Sequence, residues 1–225
     1  MLGAAAAFLL LVAVAQFLPD QSPTADAPEA NASEQAEGGG EEFDFVRRDP
    51  EDPMAIGAVD APVVMTEWVD LRCPFCAVVS RETMPTLIDK YVDSEQLRIE
   101  FNVVAYFGEQ SEDAAVAGQA AAEQDMFMEY MTALFEAAPE RGHPDTPRDK
   151  LIEFAEEVGI PDMEQFTDDL DSSELRQNVQ NNTQHAQQLG VSAVPFFVAG
   201  ETALSGAQPT SSFEQFIDQA LTEAQ

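Results

Sequence analysis

The chain has 225 residues, 45% of them hydrophobic, which is enough for one ordinary domain with a tail and too apolar for disorder throughout. Forty-two acidic residues against ten basic ones give a formal charge of −32, a surface that repels nucleic-acid phosphates and anionic lipid heads, so neither is an expected partner. Two cysteines are too few for a small secreted scaffold held together by disulfides.

Residues 1–18 open with an almost unbroken apolar run, Leu2 to Leu18, interrupted only by Gln16. Its length sits at the lower edge of what spans a bilayer as a helix. Ala13-Val14-Ala15 also fits a small-x-small cleavage site, and no Lys or Arg precedes the run. An uncleaved anchor, slightly favoured, and a cleaved signal peptide both place the remainder of the chain outside the cytoplasm. Residues 19–52 are rich in Ala, Pro, Glu, Ser and Gly and carry too few large apolar side chains to offset their ordering entropy. They are expected to form a flexible stalk, with Phe43, Phe45 and Val46 as its first docked residues.

The folded part is expected over 53–225. Val63 to Val69 is β-branched and aromatic and predicts a buried strand. A helix begins at Cys73-Pro74-Phe75-Cys76, with Val78, Val79, Met84, Leu87, Ile88 and Tyr91 at helical spacing and an interruption at Pro85. Leu97 to Ala105 predicts a second strand, because Leu97, Ile99, Phe101 and Val103 alternate. The pattern is then helical over about 111–189, broken at Pro139 to Pro147 and at Gly159-Ile160-Pro161. Val194 to Val198 and Thr202 to Leu204 predict a hairpin, and a last amphipathic helix carries Phe213, Phe216, Ile217 and Leu221. A parallel pair joined through a helix and an antiparallel pair joined by a turn make a mixed four-stranded sheet in an α/β fold with an inserted helical subdomain.

Two cysteines at i and i+3 can close a disulfide across a strand-to-helix junction. A loop that short constrains the unfolded chain by about 2 kcal/mol at most, so a structural bridge is a poor use of the only two. At a helix N-terminus the free backbone N–H groups and the macrodipole favour a thiolate. Cys73 is therefore the expected exposed nucleophile and Cys76 the resolving thiol, with Pro74 suited to the first turn. Half of a zinc site is the metal alternative, but zinc needs four ligands and only His143 and His185 remain besides carboxylates. No metal is expected, and both histidines read as surface residues.

Asp60-Ala61-Pro62-Val63, Glu67, Asp70, Cys73-Pro74-Phe75-Cys76, the run Leu189 to Val198 and Gly200 together resemble the DsbA-like thioredoxin family. The resemblance covers about residues 54 to 225 and implies a thioredoxin-like sandwich. It implies that the Val194–Pro195 bond is cis and lies beside the redox pair, and that Val194 presents its backbone to an extended client. It also places Glu67 where the family carries a buried acid able to relay the Cys76 proton, the alternative being a strand-end Glu facing solvent. Strong oxidases of the family often have His where this chain has Phe75. Phe75 cannot supply that hydrogen bond, so a less depressed Cys73 pKa and an intermediate potential are expected, with Arg72 able to compensate if it turns toward the sulfur.

The function so implied is an extracytoplasmic oxidase that introduces disulfides into exported proteins through a mixed disulfide. It needs no cofactor beyond the Cys73–Cys76 pair and is expected to act as a monomer. Reduced exported proteins would be its clients, and a membrane quinone-linked protein would reoxidise it. The expected client groove is apolar, built from Phe75, Val194, Phe196 and parts of the insertion. A reductase or isomerase on the same fold is one alternative. A peptide-binding or chaperone module with a static disulfide is another.

Overall fold

The computed structural model describes residues 43–225. The expected anchor or signal at 1–18 and the stalk from 19 to 42 lie outside the described residues. Among the described residues no helix is long and apolar enough to cross a membrane.

Among the described residues five strands form one mixed sheet: β1 (Ala55–Ile56), β2 (Val63–Val69), β3 (Leu97–Val103), β4 (Phe196–Ala199) and β5 (Thr202–Ser205), in the order β1-β3-β2-β4-β5. β2 and β3 are parallel, joined through a helical crossover, and the other neighbours are antiparallel. The fifth strand is a correction to the four expected. β1 is two residues long, pairing Ala55 with Glu100 and Ile56 with Ile99, and two residues show no periodicity. β4 also starts at Phe196, later than expected, because Pro195 lacks the N–H that a ladder requires.

Helix α1 (Pro74–Glu82) leaves the C-terminal end of β2. It stops before Pro85, and α2 (Met84–Leu87) and a π turn at Ile88–Val92 complete the crossover. Five helices lie between β3 and β4: α3 (Glu109–Ala122), α4 (Phe127–Glu136), α5 (Arg148–Val158), α6 (Met163–Asp169) and α7 (Ser173–Gln188). The break at Gly159-Ile160-Pro161 has a specific chemistry. Gly159 ends α5 in the left-handed region at φ 77°, and the Asp162 side chain accepts from the Gln165 N–H to start α6. The last helix is α8 (Thr210–Glu223).

All seven residues of β2 are buried, as expected of a central strand covered on both faces. The two faces are covered differently. On one, Phe101 packs against Phe127 of α4 and Phe197 meets Phe213 of α8 edge-on, with centroids 5.8 and 4.8 Å apart. On the other, β3 presents Arg98, Glu100 and Asn102, and the segment 43–52 lies across them. The Arg47 and Arg48 backbone N–H groups donate to the Glu100 carboxylate at 2.8 and 2.9 Å, and Arg98 Nε donates to it at 2.7 Å. Phe45 packs edge-on against Trp68, which is 2% exposed. The last ten residues of the expected stalk are thus part of the domain, held by polar groups that a hydrophobic pattern does not register.

Candidate active site

β2 delivers Glu67 and Asp70 to the end of the sheet, and the turn after it delivers the cysteines. Cys73 is the N-cap of α1, Pro74 occupies the first turn, and the Cys73 N–H donates to the Asp70 carbonyl at 2.9 Å. The backbone N–H groups of Phe75 and Cys76 therefore point at the Cys73 sulfur. The Cys76 thiol donates to the same sulfur and is the largest influence holding the Cys73 pKa down; burial acts the other way, and the two N–H groups add to the lowering. Cys76 is fully buried, and its pKa is pushed well above that of an ordinary thiol by burial and by its bond to Cys73. One turn of helix separates the two sulfurs, and Cys73 is itself only 2% exposed, with the Val194 carbonyl against its sulfur, which corrects the exposed position expected of it.

Glu67 lies beneath this pair and is 3% exposed, which overturns the solvent-facing alternative. Its cross-strand neighbours are Phe101 on β3 and Phe197 on β4, both fully buried. Among the described residues its Oε2 has no hydrogen-bond partner. Burial first, and then the charge of Cys73, push its pKa up to about 8. At neutral pH it is largely a neutral acid next to the cysteines.

The Val194–Pro195 peptide is cis, and the Val194 carbonyl lies 3.5 Å from Cys73 Sγ. Beside them opens a groove of about 1130 Å³ whose walls include Cys73, Phe75, Val194, Phe107, Arg141 and His143. Phe75 is 62% exposed at its rim, a large apolar ring left in solvent beside a reactive sulfur. Phe196 does not line this groove. It sits opposite Trp68 in the ladder with ring centroids 6.0 Å apart, on the far face, because strand periodicity turns Phe197 and not Phe196 toward Glu67. Arg72 does not turn toward the sulfur either. Its Nε donates to the Pro144 carbonyl at 2.8 Å and its Nη1 to the Phe107 carbonyl at 3.2 Å.

Three features of the site were given no role by the sequence. Asp70 is fully buried and accepts from the Arg72 N–H, the Tyr106 N–H and Ser111 Oγ at 2.9, 2.7 and 3.0 Å. Tyr106 Oη in turn donates to the Val191 carbonyl. One carboxylate thus joins the cysteine turn, the segment after β3 and the start of α3, and Tyr106 extends the link to the cis-proline loop. The loop between α4 and α5 forms the outer wall, where His143 stacks on Phe107 at 4.0 Å and its Nδ1 lies 3.0 Å from the Arg72 carbonyl. Asp70 was legible as part of the family resemblance and as a charged residue at the end of a wholly buried strand, but its partners were not. Nothing local marks the wall. His185 remains on α7, away from this groove.

Residues 49–219 match a family model described as thioredoxin. A probable disulfide bond formation protein D from Bacillus anthracis is 29% identical over 154 residues, covering 66% of this chain and 70% of that protein. Solved structures share the fold. BdbD from Bacillus subtilis, in its oxidised form, superposes with a TM-score of 0.70 at 22% identity, covering 76% of this chain and 94% of that one. A thioredoxin-like oxidoreductase from Silicibacter pomeroyi gives 0.65 at 26%, covering 77% and 94%. The cysteine turn, the neighbouring cis-proline and the helical insertion sit in the fold those proteins share, and this chain belongs with them, as a DsbA-like thioredoxin-fold thiol–disulfide oxidoreductase.

Proposed function

We propose that this oxidoreductase works outside the cytoplasm, handing its Cys73–Cys76 disulfide to reduced exported proteins. The observation that carries the reading is the environment of Cys73. Its thiolate receives a thiol and two backbone N–H groups, and a stabilised reduced form makes the disulfide a better oxidant. A client thiolate attacks Cys73 Sγ, the Cys73–Cys76 bond breaks, and Cys76 leaves as a thiolate that takes the Glu67 proton. The client's second thiolate then attacks its own sulfur in the mixed disulfide, and Cys73 leaves as the stabilised thiolate. Two client thiols are oxidised and one enzyme disulfide is reduced. Val194 and Pro195 hold the extended client beside the sulfur, and Phe75 offers it an apolar contact. Residues 1–18 tether or export the domain, residues 19–42 space it, and a membrane quinone-linked protein takes the electrons back from the pair. The enzyme acts as a monomer with no other cofactor.

The deciding experiment is the reduction potential of the Cys73–Cys76 couple in the intact chain, titrated against glutathione buffers. A value of about −120 to −180 mV is expected and supports disulfide donation. A value at or below about −270 mV reverses the electron flow to a reductase. A bridge that glutathione never opens reduces the protein to a binding module.

A further inference from the structure

All ten basic residues of this strongly acidic chain lie among the described residues, and their partners divide them sharply. Arg47, Lys90, Arg98, Arg148, Lys150 and Arg176 each form an ion pair with a carboxylate. Arg48, Arg72 and Arg81 donate to backbone carbonyls. Arg141 alone, among the described residues, has no partner, although the chain carries 42 acidic side chains. Its neighbour Glu140 also lines the groove and does not pair with it. The one uncommitted cation is therefore exposed on the wall that faces Cys73.

The loop beneath it is built to stay in place. His143 is stacked on Phe107, Pro144 is gripped by Arg72, and the Thr146 N–H donates to Gln110 at 2.9 Å. Gly142, in the left-handed region at φ 77°, makes the turn between Arg141 and the docked His143. A guanidinium on an anchored loop loses less freedom on binding than one on a mobile chain. It is also the residue type suited to a planar carboxylate.

We infer that Arg141 is a specificity-determining residue that binds a carboxylate side chain close to the reactive cysteine of the client. The inference rests on the reading of the groove as the client site. It holds against a net charge of −32, which by itself repels acidic clients. At physiological salt the field of the bulk surface is screened within about 8 Å, so within the groove the nearest charges decide. An exposed pair of this kind changes encounter rates by a modest factor, which sets the expected size of the effect.

The test uses three synthetic dithiol peptides identical except for aspartate, asparagine or lysine flanking the first cysteine. The second-order rate constant for reduction of the oxidised intact protein is measured for each. The aspartate peptide should react about three- to fivefold faster than the asparagine peptide at low salt, with the advantage fading as salt is added. Arg141→Gln should abolish that advantage and Arg141→Glu should transfer it to the lysine peptide. Dithiothreitol and the asparagine peptide, which both attack as thiolates without a flanking charge, should change by the same factor in each variant, which separates client recognition from any change at Cys73 or in folding. A preference retained in Arg141→Gln, or none in the parent protein, overturns the inference while leaving the oxidase reading intact. Failure of all three peptides to reduce the disulfide removes that reading, and this one with it.

Discussion

Two buried glutamates, on adjacent strands and opposite faces of one sheet, behave in opposite ways. Glu67 on β2 and Glu100 on β3 are 3% and 0% exposed. Burial alone raises both carboxyl pKa values, since charge is costly away from water. At Glu100 the donated hydrogen bonds outweigh that cost: the N–H groups of Arg47 and Arg48 and the Arg98 guanidinium converge on it and hold its pKa below the ordinary value. Glu67 has fully buried phenylalanines beside it and one oxygen without a partner, and its pKa climbs to about 8. Surroundings rather than residue type leave one carboxyl ionised and the other largely protonated at neutral pH.

The heaviest loss should come from Glu100→Ala, which leaves Arg98 buried without its carboxylate and frees the segment 43–52. A loss of about 3–5 kcal/mol is expected, read as a lower midpoint in urea unfolding. In the parent protein the sign comes from the depressed pKa. The stabilisation from Glu100 is complete above its unfolded pKa and is lost as pH falls through the folded one, so acid should unfold the parent more steeply than Glu100→Gln.

Glu67→Gln should act at the other end of the pH scale. The folded, reduced protein keeps a proton that the unfolded chain releases from about 4.5 upward. Glu67 therefore costs stability progressively between about 4.5 and about 8, and fully above that. The variant should be more stable than the parent above pH 8, by up to about 5 kcal/mol less the cost of burying an unpaired amide. It should also slow exchange with a dithiol client by about a hundredfold, the lower end of the range for loss of one proton-transfer group, and flatten the pH dependence of the rate. Slower exchange with an unchanged pH profile would mean that Glu67 only shapes the site.

A smaller effect refines the assignment of cause. In Cys73→Ala the Glu67 pKa should fall slightly, because the thiolate charge is the lesser contribution, and stay well above 4.5, because burial is the larger. Titration of the Glu67 carboxyl by infrared difference spectroscopy reads this directly. A return to about 4.5 would make the cysteine, and not the phenylalanine walls, the dominant cause.

Neighbours along the chain dictate one part of this molecule, and they are legible without a structure. Val63 to Val69 reads as a buried strand from its composition, Pro85 breaks its helix for want of an N–H, and Cys73 sits at a helix start because Pro74 belongs in a first turn. Groups brought together from afar dictate the rest. Glu67 owes its proton to Phe101 and Phe197 from other strands, Phe196 is turned from the groove by ladder register, and residues 43–52 are ordered by Arg98 and Glu100 some fifty positions away. Arg141 stands out only once each of the other nine cations is seen to have a partner. One cause underlies every such case. Periodicity and turn chemistry are local, whereas desolvation and pairing are set by whichever atoms the fold packs within a few ångströms.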